Sequence, residues 1–235
     1  MKNKTLSIVV PTYGKIQFTK QCLDNIRQVA PKWTEFIFVD DGSTDWTVEF
    51  LSKQKDIIFI DNKVNKWVTY SWNLWVDIAK WDYICVINND VIFPKEFFEK
   101  LMEWLEENWK ALFSVPRWTN GRDPSNPSQV KYYKNHLCWF VYMLRWEDKT
   151  KWVFPLEPRL RVFGSDNRAY HKTKEYNLNI CTVTDAICHH YESITSKAEE
   201  NSDTKMFQDI CKEEWWNIVE TIFWYDSPKT KYVLI

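Results

Sequence analysis

The sequence predicts an α/β protein with a mostly parallel central sheet and helices on both faces. Three observations support this. Short apolar runs at residues 6–10, 36–39, 57–60 and 83–87 recur through the first half of the chain. The segments between them carry apolar residues at helical spacing, so strand and helix alternate. The runs themselves are close to continuously apolar, as expected of strands covered on both sides rather than on one.

The elements follow in order. Residues 6–10 form the first strand, and Phe18, Cys22, Leu23, Ile26 and Val29 place a helix behind it. Residues 36–39 close a βαβ unit. After Asp45, residues 47–53 read as a short helix, 57–60 as the third strand, 68–80 as a helix and 83–87 as the fourth strand. Pro94 opens a helix carrying Phe97, Phe98, Leu101 and Leu105, with an apolar run at 112–115 beyond it. Residues 117–129 hold Asn, Gly, Asp, Pro and Ser and read as an irregular loop. Shorter elements follow: an apolar stretch at 137–144, a turn around Pro155 and Pro158, a helix from Asp166, a strand near 180–183 and a terminal helix across 206–223. The terminal stripe, which includes Phe207, Ile210, Trp215 and Phe223, suits core packing or a homodimer contact, because Glu213, Glu214 and Glu220 interrupt any basic face.

Composition removes several classes of function. A net charge of −1 leaves no broad basic field for nucleic acid or anionic lipid, so partners must be recognised by a site. The first apolar run is stopped by Pro11 and is too short for a signal-peptide core or a transmembrane segment, so the expected location is cytoplasmic or peripheral at the inner membrane. Six cysteines, at 22, 85, 138, 181, 188 and 211, form no Cys-x-x-Cys pair and are expected as reduced, packed thiols.

Chemistry is expected beyond the carboxyl ends of the parallel strands. The second strand ends in Val39-Asp40-Asp41-Gly42-Ser43-Thr44-Asp45, a carboxylate pair followed by a turn glycine and capping residues. The fourth ends in Ile87-Asn88-Asn89-Asp90-Val91, hard oxygen donors of the kind Mg2+ or Mn2+ takes when it carries a diphosphate. Taken singly, each reads equally as a polar turn.

Together with Val9-Val10-Pro11-Thr12-Tyr13, these segments resemble the donor half of glycosyltransferase family 2, the inverting, nucleotide-sugar-dependent enzymes of GT-A fold, including rhamnosyl- and glucosyltransferase-like members. The resemblance implies one domain over residues 1–225, with a donor half at 1–115, an acceptor and catalytic half at 116–225 and a tail at 226–235. It implies that Pro11, Thr12, Tyr13 and Asp41 hold the nucleotide base of a UDP- or dTDP-sugar, and that Asn88 and Asn89 lie by the donor. It also implies that Asp90 ligates a divalent metal, Mn2+ or Mg2+. Asn88 departs from the family's usual carboxylate and removes one charge from the metal site. Phe163-Gly164-Ser165-Asp166-Asn167 resembles the segment bearing the catalytic base, which makes Asp166 the candidate for taking the acceptor's proton. Cys188-His189-His190-Tyr191-Glu192-Ser193 resembles the stretch that closes over the diphosphate, which makes His189 and His190 candidate metal ligands. The implied acceptor is a hydroxyl of a glycan, a lipid-linked sugar or a protein. The alternative is a catalytically inactive nucleotide-sugar or glycan-binding protein of the same fold.

Glycine and tryptophan are out of proportion. The chain has 4 glycines and 15 tryptophans in 235 residues, where ordinary usage would give about 16 glycines. Members of the family carry glycine where this chain has Trp46, Trp67, Trp75, Trp81, Trp152 and Trp216, and Trp109 follows Asn108 where a helix C-cap glycine is expected. Many of these positions are expected to be glycine in the native protein, written as tryptophan through a UGA codon, with Trp72, Trp104 and Trp215 expected to be genuine; the alternative is a truly tryptophan-rich variant of the family.

Overall fold

A computed structural model describes residues 4–121, 123–125, 129–132, 140–146, 154–159, 165–191 and 209. The alternation seen in the sequence folds as β1 (Leu6–Thr12), α1 (Ile16–Val29), β2 (Thr34–Asp40), α2 (Thr47–Ser52), β3 (Ile57–Asp61), α3 (Val68–Ile78) and β4 (Tyr83–Ile87). After β4 come β5 (Val91–Ile92), α4 (Phe97–Glu107), β6 (Ala111–Asn120), β7 (Val141–Arg145), α5 (Ser165–Glu175) and β8 (Asn179–His190). One sheet of eight strands runs in the order β3-β2-β1-β4-β7-β6-β8-β5. β1 pairs in parallel with both β2 and β4, β2 with β3, and β6 with β8, while β7 and β5 are antiparallel to their neighbours.

This topology puts a switch point at β1. The chain leaves β1 outward through β2 to β3 and then returns past it to β4, so right-handed crossovers place α1 and α2 on one face and α3 on the other. α1 buries Thr19, Cys22, Leu23 and Ile26, the stripe read from the sequence, and stops before Pro31, which cannot continue it. Both side-chain amide atoms of Asn25 bond the backbone of Phe93, at 3.0 and 2.8 Å, which fixes α1 beside the start of α4. There Phe93, Phe97 and Phe98 pack with ring centroids 4.8–5.3 Å apart. On the face of α3, Trp72 stands edge-on to Tyr142 at 6.1 Å, and Tyr142 in turn meets Phe113 and Phe154. Trp72 is 1% exposed and Trp104 packs against the core.

Two boundaries differ from the sequence reading. Residues 117–120, read as loop, continue β6 and pair with Ile187–His190 beyond a register shift at Pro116/Arg117. β8 likewise runs to His190 rather than ending near Val183. These strand ends are mixed polar and apolar and are held by each other across the sheet, so neither segment alone shows a run. The expected terminal helix lies outside the described residues apart from Asp209.

Cys22, Cys85, Cys181 and Cys188 are free thiols, while Cys138 and Cys211 lie outside the described residues. Burial pushes the Cys85 and Cys188 thiols well above the ordinary thiol range, so they behave as small apolar core residues. Among the described residues, no helix is long and apolar enough to cross a membrane.

Candidate active site

Four adjacent parallel strands, β3, β2, β1 and β4, end on the same side of the sheet, and the turns after β2 and β4 flank the end of β1. The carboxylate pair after β2 divides its labour. Asp40, fully buried, accepts from Gly42 N (3.1 Å) and Ser43 N (2.8 Å) on Oδ1 and from Thr12 Oγ1 (3.1 Å) and Ser43 Oγ (2.6 Å) on Oδ2. Both its oxygens are committed to shaping the turn. Asp41 points elsewhere, as alternation along an extended chain requires. Its Oδ1 accepts from Asn62 Nδ2 (3.1 Å) and the backbone N–H of Lys66 (2.9 Å), and no hydrogen bond from the described residues falls on Oδ2. Asp41 is thus held by one oxygen with the other open to an incoming donor.

The turn after β2 also anchors two helices. Asp45 accepts from Ile16 N at the start of α1 (3.0 Å) and from Thr47 N at the start of α2 (3.0 Å). Burial opposes the charge on Asp45, but hydrogen bonds from Thr47 and Ile16 outweigh it and hold the carboxyl below its usual range. Ser43 Oγ accepts from Gly14 N at 2.7 Å, which ties the loop after β1 to the same turn. In that loop Tyr13 is 49% exposed, Pro11 is buried in β1, and the hydroxyl of Thr12 is used by Asp40.

After β4 the chain makes one turn through Asn88, Asn89 and Asp90 into the two-residue β5. β5 pairs with the end of β8 in the register Val91↔His190 and Ile92↔His189, and Tyr191 N donates to Asp90 O at 2.9 Å. This brief ladder brings the histidines to the acidic turn, a hundred residues away in sequence. His190 Nε2 stands 3.3 Å from Asp90 Oδ1, with its ring stacked on Phe140 at 4.1 Å. His189 faces the other way. Its Nε2 meets the carbonyl of Gly121 at 3.1 Å and so donates to it, while Nδ1 lies 2.9 Å from Thr119 Oγ1. Asn89 Nδ2 donates to Thr19 Oγ1 on α1 at 3.0 Å, and Asn88 N donates to Phe140 O at 2.8 Å.

The comparisons with known proteins bear on this arrangement. The model of the family described as glycosyl transferase family 2 matches residues 7–172, which include both turns. The chain belongs to glycosyl transferase family 2. Among curated members, the glycosyltransferase GlyG of Streptococcus pneumoniae serotype 4 is 26% identical over 109 residues, 45% of this chain and 36% of that protein. The matched part thus spans about a third of GlyG's length. Among solved structures, GalNAc-T7 with UDP, GalNAc and Mn2+ superposes with a TM-score of 0.72 at 10% identity, over 90% of this chain and 48% of that one. The mannosyltransferase PcManGT of Pyrobaculum calidifontis, in complex with GDP-Man and Mn2+, gives 0.64 at 13% identity over 86% and 60%. These likenesses show the GT-A fold.

Within this family 2 domain the metal expected from the sequence can be tested against the residues present. Asp90 Oδ1 is buried and accepts no hydrogen bond, and the imidazole nitrogen of His190 faces it, a donor pair that suits Mn2+. The charge of Asp90, after burial itself, raises the thiol of Cys22 beneath it. No group of three metal-binding side chains occurs among the described residues, so diphosphate oxygens and water would complete a coordination shell. The residues therefore fit a cation that arrives with its ligand rather than one held by the protein alone.

Asp166 is the second residue of α5, and its side chain lies outside the described residues. Arg145 stands opposite Tyr83, the first residue of β4. Its guanidinium donates to the carbonyls of Leu105, Trp109 and Ala111, at the end of the sheet away from the turns. Lys66 contributes its backbone N–H to Asp41, while its ammonium lies over the Tyr70 ring. Asn62 was missed as a site residue. Its signal was its place just past the apolar run 57–60, on the carboxyl side of a parallel strand.

Proposed function

We propose that this chain transfers a sugar, with inversion, from a nucleoside diphosphate donor to a hydroxyl acceptor. The observation that carries this reading is the pair of carboxylates flanking β1, Asp41 with one oxygen open and Asp90 with one buried oxygen free of hydrogen bonds. Asp41 Oδ2 suits the ring N–H of uracil or thymine, which supports a UDP- or dTDP-sugar, and the exposed ring of Tyr13 supplies a face for the base. Asn88 and Asn89 lie between the base and the diphosphate in this reading. A divalent cation, when bound, would neutralise charge on the departing diphosphate. Asp90 and His190 would hold it, while His189 supports the β6–β8 strand ends behind them. Asp166, at the start of α5, would accept the acceptor's proton as its oxygen attacks the anomeric carbon. The acceptor is a hydroxyl on a glycan, a lipid-linked sugar or a protein.

The amide at Asn88 favours one competing reading, a domain that binds nucleotide sugars without turning them over. Measuring donor hydrolysis and transfer across a UDP- and dTDP-sugar panel with Mn2+ separates the two. Turnover that is lost in Asp166→Asn, with UDP binding retained, supports the transferase. Binding without turnover for every donor and acceptor class overturns it.

A further inference from the structure

Residue 67 holds a backbone conformation that an indole-bearing residue rarely adopts. Its φ is +75°, in the left-handed region. That value is pinned from both sides. The N–H of Trp67 donates to Asn65 Oδ1 at 2.8 Å, and its carbonyl accepts from Ser71 N at 3.2 Å as the first acceptor of α3. One residue earlier, Lys66 N donates to Asp41 Oδ1. On the other side, the loop presses so closely on Gly42 that a Cβ there would lie 2.7 Å from Asn65 N. Moving residue 67 to a negative φ would therefore break either the bond that orients Asp41 or the first bond of α3. Positive φ alone does not single out position 67, since Lys15, Lys63, Glu96 and Asn177 share it. What does is an aromatic residue at such a position in a chain with 4 glycines and 15 tryptophans.

The other tryptophans divide in the same way. Trp72 and Trp118 are 1% and 6% exposed and pack edge-on against aromatic rings. Trp33, Trp46, Trp81 and Trp109 sit outside the helices and strands at 52%, 71%, 40% and 77% exposure. An indole gains most when buried, so the second group lacks the packing that justifies the residue. UGA is a stop signal that some genetic codes read as tryptophan and others as glycine, so it can write glycine positions as Trp.

We infer that residue 67 is glycine in the protein its own host makes, and that Trp67 acts as a positioning residue which loosens the Asp41 clasp. The second half of this rests on the donor reading of Asp41; the first does not. The variants Trp67→Gly and Trp67→Ala test both halves, since Ala removes the indole but keeps the Cβ that disfavours positive φ. Without ligand, Trp67→Gly melts about 3–6 °C above the parent, whereas Trp67→Ala stays near it. Trp67→Gly also binds UDP about 3–10-fold more tightly, a gain that vanishes in the Asp41→Ala background. Sequencing the gene is expected to read UGA at codon 67. A UGG codon there, or Trp67→Gly no more stable than Trp67→Ala, overturns the glycine assignment. A UDP gain that survives Asp41→Ala overturns the positioning role. If no variant binds UDP while Trp67→Gly keeps its stability advantage, the donor reading fails and the glycine assignment stands.

Discussion

After β2 the chain spends four hydrogen bonds on Asp40 alone, whereas after β4 it leaves a buried oxygen of Asp90 with none. The first turn is complete without a ligand. Its carboxylates are oriented by groups within the protein, so a base bound there as proposed would need little further ordering of the turn. The second turn is incomplete. Asp90 and His190 are brought together by a two-residue strand, with Asp90 Oδ1 3.3 Å from the imidazole and accepting no hydrogen bond. Rigidity thus sits in the turn proposed to identify the donor, and an oxygen without a hydrogen bond sits in the turn proposed to meet the departing diphosphate.

Breaking the rigid turn should have the largest effect. Gly42 has φ +82°, and an added Cβ would lie 2.7 Å from both Asn65 N and Val64 C, backbone atoms that cannot step aside singly. Gly42→Ala is expected to cost about 4 kcal/mol, a fall in melting temperature of about 8–16 °C, read by thermal or urea denaturation. A change below about 2 °C would mean the turn is soft, and the contrast with the β4 turn would collapse.

The opposite behaviour is expected at Asp90. Asp90→Ala removes a carboxylate whose Oδ1 accepts no hydrogen bond, so stability in EDTA should hold or rise. Turnover with Mn2+ should fall by about 10²–10³-fold. Mn2+ should raise the melting temperature of the parent in the presence of UDP but not that of the variant. Equal Mn2+ stabilisation of both would place the cation elsewhere.

Within the rigid turn the two neighbouring carboxylates should separate. Asp41→Asn should weaken UDP binding by about 10–30-fold, the loss of one charge-assisted hydrogen bond, with melting temperature nearly unchanged. Asp40→Asn should do the reverse, lowering stability by about 2 kcal/mol because an amide donor then faces N–H and O–H donors. Calorimetric titration beside thermal melts reads both. The sequence could show that adjacent strand residues point apart, but not which of the pair turns inward, because that is fixed by Thr12 on β1 and Ser43 beyond the turn. The same limit explains the second half. β1 to β4 were legible because each is a local apolar run. The pairing of residues 117–120 with 187–190, and of Asp90 with His190, joins segments about 70 to 100 residues apart, and no local periodicity records it. A family resemblance names both histidines alike; only the register of β5 on β8 and the Thr119 contact separate their surroundings, His190 beside Asp90 and His189 beside Thr119.

The smallest effect tests whether the rigid turn owes anything to charge. The hydrogen bonds to Asp45 hold its carboxyl below the usual range, so folding favours the ionised form. Its stabilisation is then complete above the unfolded pKa of about 3.9 and is lost as pH falls through the lower folded value. Asp45 is solvent-exposed, so screening keeps the contribution under about 1 kcal/mol. Asp56 and Asp61 are held low as well, by Arg27 and Lys63, as are Asp123 by Ser125 and Glu157, against burial, by Arg159, so the parent's acid profile mixes several carboxyls. The difference between parent and Asp45→Asn isolates one. That gap should be constant from pH 7 to pH 5 and close below about pH 4. A gap that persists unchanged to about pH 2.5 would mean that Asp45 ties α1 to α2 by geometry alone, and that the preorganised turn is a hydrogen-bond scaffold indifferent to its own charge.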